Sequence, residues 1–146
     1  MKCLYCDKKI ERFTFKQLFL KDDLLCADCR EMLKAERKVR TIENLNIETF
    51  FDYDGLFKDL LIQYKECYDE ALAPVFLYDL AEYLRFKYHG YQIAYVPSSK
   101  LKVEERGFNH LELMFKELGL KKIEGLRQIK DISQQNKGKE EKYEYG

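Results

Sequence analysis

The sequence predicts an α/β fold preceded by a small cysteine-built module at the N-terminus. Three observations carry that expectation. Four cysteines fall in two tight pairs, Cys3 with Cys6 and Cys26 with Cys29. Downstream, apolar residues switch between strand-like alternation and helical spacing in the order β-α-α-β-α. The two strand-like stretches, 46–54 and 91–96, run up to Gly55 and Pro97, residues that end strands.

The cysteine pairs come first along the chain. Each has two residues between its members, and nineteen residues separate the pairs. A C-x2-C knuckle curls the backbone so that both sulfurs point at one centre, and two knuckles supply the four thiolates of a tetrahedral Zn²⁺ site. With every position filled by protein, such a site is structural, and the expectation is one zinc per chain on Cys3, Cys6, Cys26 and Cys29. Redox disulfides are the alternative and suit a secreted chain, but the N-terminus MKCLYC has no apolar h-region and no small-residue cleavage site. Between the knuckles FTFKQLFL is strand-like, and Lys21-Asp22-Asp23 is a turn, giving a zinc-ribbon-like module too small to hold a core without its metal. Residues 28–40 are good helix formers and read as a helix leaving the second knuckle.

The remaining elements follow in order. Residues 46–54 alternate Ile47, Thr49, Phe51 and Tyr53 against Glu48, Phe50, Asp52 and Asp54, a half-buried strand. Residues 56–66 read as a helix with Leu56, Leu60 and Tyr64 on one face. Pro74 suits a helix N-terminus, and Val75, Phe76, Leu80, Tyr83 and Leu84 recur at helical spacing up to Gly90. YQIAYV, 91–96, is a short apolar strand. Residues 109–118 form an amphipathic helix with Leu111, Met114, Phe115 and Leu118 inward and Gly119 as its cap. Residues 123–129 are weakly patterned, and the last eighteen residues show no core face. Cys67, at the end of a helical stretch, reads as a small buried apolar residue.

Composition excludes several classes. An apolar share of 46% can build a core, and 36% charged residues with zero net charge give no global field toward nucleic acid or membrane. No apolar run approaches the ~18 residues of a membrane span, so no membrane insertion is expected, and cysteines suited to metal point to the cytoplasm. Charge is uneven: residues 1–44 carry net +3, 45–96 net −5 and 97–146 net +2. A four-thiolate zinc site leaves the first segment at about +1.

The segment VPSSKLKVEERGFNH, Val96–His110, is the second informative stretch. It follows a strand and precedes a helix, where α/β folds bind ligands. Ser98, Ser99, Lys100, Lys102, Arg106, Gly107 and Asn109 are the candidate residues of an anion or pyrophosphate loop, with Asn109 also able to cap the next helix. Glu104 and Glu105 lower the local positive charge, and a solvated loop with an ordinary cap is the other reading. A lone His110 reads as surface polarity without a role.

The two knuckles, FFDYDG, LLIQYK, VPSSKLKVEERGFNH and LRQIKDISQQNKGKEEKYE together resemble the ComF family of competence proteins over nearly the whole chain. The Arg106-Gly107-Phe108-Asn109 run after a Val-Pro segment is the most specific part of the match. The resemblance implies zinc on the four cysteines. It also implies an N-terminal module (residues 1–44, with its linker helix) joined to a phosphoribosyltransferase-like, Rossmann-like parallel sheet domain (residues 45–146). By the same resemblance the loop from Ser98 to Asn109 lies near the pyrophosphate position, with Arg106 the first anion contact, then Lys100 and Lys102. His110 stands where the family commonly has Gln.

Type I phosphoribosyltransferases also carry an acidic pair followed by a Thr/Gly-rich loop, and this sequence has none; its one Asp pair, Asp22-Asp23, lies in the metal module. The chain therefore reads as the first two-thirds of the family protein. Its parallel sheet is expected to be incomplete at the C-terminus, with an exposed edge that favours self-association. No catalytic residue is assigned; the resemblance makes phosphoribosyl pyrophosphate a candidate ligand of the full-length family, and the missing motif weighs against it here. The resemblance implies a role in natural transformation, on single-stranded DNA and beside a helicase-like competence partner. Lys8, Lys9, Arg12 and Lys16 interleave with Tyr5, Phe13 and Phe15, as in single-strand binders; the other reading makes Phe13 and Phe15 a small core and the lysines solubilising. The alternative function is a phosphoribosyltransferase acting on a base-like acceptor, or a remnant without function.

Overall fold

A computed structural model describes residues 1–10, 24–96 and 98–126. The strand-like stretch 13–20, the turn 21–23, Pro97 and the polar C-terminal segment lie outside the described residues. The elements in chain order are helix α1 (Ala27–Met32), strands β1 (Lys38–Ile42) and β2 (Leu45–Thr49), helix α2 (Gly55–Glu66), a 3-10 turn (Glu70–Val75), helix α3 (Ala81–Lys87), strand β3 (Gln92–Ile93), helices α4 (Lys100–Arg106) and α5 (His110–Phe115), a 3-10 turn (Lys116–Leu118) and strand β4 (Lys121–Lys122). The mix of helix and strand agrees with the expected class.

Helix α2 is the centre of the packing. Leu56, Leu60 and Tyr64 recur every four residues and are its buried face, as the spacing predicts. Leu60 and Tyr64 have no exposed surface, and neither does Leu72 of the following turn. Tyr64 packs its ring 5.4 Å from both Phe76 and Phe108 and donates its hydroxyl to the His110 carbonyl at 2.7 Å. Burial pushes the Tyr64 phenol up to about 12, so the hydroxyl stays a donor.

Three elements before β3 depart from the sequence expectation. The helix read over 28–40 stops at Met32, and the chain re-emerges as β1. Leu33 turns into the core, 2% exposed, and the Glu36 amide donates to the Phe50 carbonyl at 2.8 Å, so pairing with the next segment overrides the helix formers in this stretch. β1 and β2 make an antiparallel hairpin, with Ile42 opposite Leu45. The connection is Glu43-Asn44, both at positive φ (48° and 67°), the backbone of a two-residue type I′ turn. The strand expected over 46–54 therefore does not lead the parallel sheet. It ends at Thr49, and Phe50 and Phe51 turn inward, Phe51 stacking on Phe57 at 4.7 Å. The helix expected to begin at Pro74 is instead a 3-10 turn containing Pro74, a run of turns, and α3; Val75, Phe76, Leu80 and Leu84 are buried as expected, whereas Tyr83 is exposed.

The parallel pairing is between β3 and β4, Gln92 opposite Lys121 and Ile93 opposite Lys122, extended by the Ile123 amide on the Ile93 carbonyl. α4 and α5 lie between them in the chain, so β3-α4-α5-β4 is a crossover unit. β3 is shorter than expected, since Tyr91 and Val96 at its ends are exposed. The helix expected over 109–118 is α5 and its 3-10 extension, with Met114 and Leu118 buried and Gly119 capping at φ 64°. No helix among the described residues is long and apolar enough to cross a membrane.

The hairpin meets the body through Glu48, not through Ile47, which stays exposed. The Glu48 carboxylate pairs with Lys87 and Arg37 and accepts from Tyr83 and Tyr88. Lys87 first and Arg37 second hold its carboxyl down to about 2, against an ordinary 4.5. A lowered carboxyl stabilises the fold above the unfolded value and loses that contribution as pH falls from about 4.5 through about 2. Urea midpoints measured over that window are expected to fall less steeply in a Glu48→Gln chain than in the native one; equal slopes would show that Glu48 does not anchor the hairpin.

Candidate metal centre

The first knuckle is shaped by backbone bonds. The Cys3 amide donates to the Lys8 carbonyl at 2.9 Å, the Asp7 amide to the Cys3 carbonyl at 3.1 Å, and Asp7 takes φ 59° to close the curl. The second knuckle is the start of α1: Cys26 is its N-cap, with extended backbone, and Cys29 lies in its first turn. Helix geometry thus turns the second pair toward one point. The Leu4 amide on the Leu24 carbonyl, at 3.0 Å, sets the knuckles side by side. Lys8 and Asp28 pair across them at 2.5 Å, but both are well exposed and the pair contributes little.

The four sulfurs converge within 4.8 Å of one another, with Cys6 Sγ 3.6 Å from Cys26 Sγ. Tetrahedral zinc with Zn–S of ~2.3 Å holds its sulfurs ~3.8 Å apart, so the separation fits. Cys3, Cys26 and Cys29 are buried and Cys6 is exposed. Burial pushes the Cys3 thiol up, but hydrogen bonds from the backbone of Cys6, Cys26 and Tyr5 outweigh it and hold Cys3 at about 6. Burial, followed by the neighbouring sulfurs, drives Cys29 far up. The protein by itself thus favours one thiolate and penalises others; a divalent cation at the centre removes that penalty. The donor set, its spacing and its burial could hold a metal ion and are consistent with zinc. Cys67 is not part of the cluster. It is exposed at the C-cap of α2, contrary to the expected burial, because the helix ends there and the chain turns through Tyr68 at φ 60°.

The Ser98–Asn109 segment is a helix rather than a loop over most of its length. Ser99 caps α4 by accepting from the Lys102 amide at 3.2 Å, Gly107 ends it at φ 83°, where glycine is favoured, and Asn109 caps α5 by accepting from the Glu112 amide. The two lysines point outward: Lys100 is exposed, and Lys102 lies 4.0 Å from Glu66. Arg106 is 7% exposed. Its Nε donates to the Lys65 carbonyl at 2.9 Å, Nη1 donates to His110 Nδ1 at 3.0 Å, and the guanidinium lies over Phe108. Ser98 Oγ is 3.1 Å from the same His110 nitrogen. Arg106 thus ties α4 to the end of α2 and the start of α5.

His110 is the residue that sequence reasoning missed. It is half-buried and a partner of both Arg106 and Ser98, not surface polarity. The signal was its i+4 spacing from Arg106 across a glycine turn, which carries no meaning until Arg106 is known to point inward. Burial first, then the charges of Lys65 and Arg106, lower His110 to about 4 from 6.5. The fold therefore favours neutral imidazole, and this stabilisation is complete above about pH 6.5 and is lost as pH falls toward about 4.

An open cleft of about 340 Å³ lies elsewhere, where Met32, Phe50, Phe51 and Phe57 meet Lys38 and Asp54; it contains neither the cysteines nor the Ser98–Asn109 segment.

An NMR titration of His110 is expected to place its midpoint near pH 4, with Arg106→Met moving it upward. A midpoint near 6.5 for His110 in the native chain would contradict the Arg106–His110 pairing.

No family model matches the chain, and no solved structure matches it. The chain is 26% identical to competence protein ComFC of Streptococcus pneumoniae (strain ATCC BAA-255 / R6), in an alignment covering 97% of the chain and 76% of that protein. Together with the four-cysteine cluster, this similarity bears out the ComF-family resemblance read from the sequence.

Proposed function

We propose that this chain is a ComF-like competence protein that acts in natural transformation, in the uptake and handling of single-stranded DNA in the cytoplasm, with one structural zinc on Cys3, Cys6, Cys26 and Cys29. The observation that carries the reading is the similarity to competence protein ComFC along nearly the whole chain, joined to a four-cysteine cluster with metal-site spacing. Zinc here is a folding element: all four ligands are protein, and no coordination position is left for a substrate.

Under this reading the Ser98–Asn109 segment offers an anion the exposed Lys100 and the partly exposed Lys102, beside the capped start of α4. Arg106 supports that surface from behind, since its guanidinium is committed to Lys65 and His110. The helicase-like partner implied by the resemblance belongs to the same proposal. A second reading, a phosphoribosyltransferase acting on a base-like acceptor, draws on the parallel β3-α4-α5-β4 crossover, whose strand-to-helix junction is where such folds hold ligands. The first reading is preferred because the similarity to competence protein ComFC runs along nearly the whole chain.

Deleting the gene in its own host is expected to reduce recovery of transformants at least ~tenfold without changing growth, and the purified protein is expected to retain single-stranded oligonucleotide on a filter with affinity that falls as salt rises. Unchanged transformation would contradict the competence reading. Heat released on adding phosphoribosyl pyrophosphate in a calorimeter, lost in a Lys100→Ala/Lys102→Ala chain, would favour the second reading instead.

A further inference from the structure

The four cysteines are not equivalent. Cys3, Cys26 and Cys29 are 1%, 8% and 4% exposed, and Cys6 alone lies at the surface. A water-borne oxidant therefore reaches the cluster through Cys6. Cys6 Sγ also stands 3.6 Å from Cys26 Sγ, across the two knuckles. An accessible sulfur with a second sulfur close behind it is the arrangement of a reactive cysteine and its resolving partner.

We propose that Cys6 is an oxidation site and Cys26 its resolving cysteine, so that peroxide converts the cluster to a Cys6–Cys26 disulfide and releases the metal. The proposal rests on the zinc reading above. In the first step the Cys6 sulfur attacks one oxygen of hydrogen peroxide, the O–O bond breaks, and Cys6 sulfenic acid and hydroxide result. In the second, the Cys26 thiolate attacks the Cys6 sulfur, the S–S bond forms, the S–O bond breaks and a second hydroxide leaves. Solvent protons convert both hydroxides to water; two thiolates have lost two electrons and peroxide has gained them. Cys3 and Cys29 remain as two ligands, too few for a closed tetrahedral site.

The consequence reaches the body of the protein. Tyr5, beside Cys6, donates its hydroxyl to Asp59 of α2 at 3.2 Å. Arg30, beside Cys29, donates to the Val75 carbonyl at 3.1 Å and lies 4.5 Å over the Tyr78 ring. Both knuckles thus hold contacts to the helical layer that loosen when the metal leaves.

The test uses the full zinc-loaded chain carrying Cys67→Ser, which removes the exposed cysteine outside the cluster. Hydrogen peroxide is added in steps, free zinc is read with a chromogenic chelator, and acid-quenched, alkylated samples are mapped by tandem mass spectrometry. The expected result is one zinc released per disulfide formed, with Cys6–Cys26 the first crosslink, reversed by dithiothreitol and added zinc. A Cys6→His chain, which keeps a zinc-binding donor but not the reactive sulfur, is expected to release zinc at least ~tenfold more slowly. A first disulfide within a knuckle, Cys3–Cys6 or Cys26–Cys29, would overturn the proposal. So would equal release from the Cys6→His chain, or zinc retained at peroxide levels that oxidise Cys67 in the unsubstituted protein. Protein found metal-free before any peroxide would instead overturn the zinc reading itself.

Discussion

The convergence of four sulfurs at one point is the constraint on which the rest of the structure depends. It joins residues 3–6 to residues 26–29, and in doing so it fixes where α1 begins. The cluster is not a separate bead on the chain. Cys3, Leu25, Cys26, Cys29 and Leu33 belong to the same apolar core as Leu56, Leu60, Tyr64 and Phe76. Arg30 and Tyr5 extend the join outward with bonds to Val75 and Asp59. A knuckle pair that set only its own geometry would leave α1 without an anchor. Here it presents α1 to the helical layer and lets Leu33 fill the gap beneath.

A second junction organises the other end of the molecule. Tyr64 on α2 bonds the His110 backbone, while Arg106 on α4 bonds the Lys65 backbone and the His110 ring. Three helices are therefore fastened at one place by the Tyr64 hydroxyl, Arg106 Nε and Arg106 Nη1, each donating to a partner, which offsets the cost of burying these groups. The Arg-Gly-Phe-Asn run contributes each of its members to this knot: Arg106 as the bond donor, Gly107 as the left-handed stop, Phe108 as the ring under Tyr64 and Asn109 as the cap of α5.

Much of this was legible in the sequence, and the physical reasons for success and failure differ. The cysteine spacing identified the four-cysteine cluster, which could hold a metal ion, because C-x2-C dictates local geometry regardless of context. The buried face of α2 was legible because Leu56, Leu60 and Tyr64 keep one period over a full helix. The hairpin was not legible as such: Glu36–Arg40 are acceptable helix formers, and the partner that claims them, Phe50 and the strand before it, lies several residues beyond. Its inner face was also hidden, since the contact to α3 is made by a carboxylate, Glu48, on Lys87. Among the candidate anion residues, composition alone could not separate Lys100, which is exposed, from Arg106, which is buried; their difference lies in the direction each takes from α4. Strand β4 carried no signal at all, being two exposed lysines held by backbone pairing.

Hydrogen exchange of the α2 amides, with zinc added and again with chelator, tests the central claim that the four-cysteine cluster and the helical body form one cooperative unit. Protection at Leu60 through Tyr64 is expected to collapse together with that of α1 when chelator replaces zinc. Unchanged protection in α2 while α1 and the knuckles exchange freely would show the cysteine cluster to be an independent appendage and would contradict it.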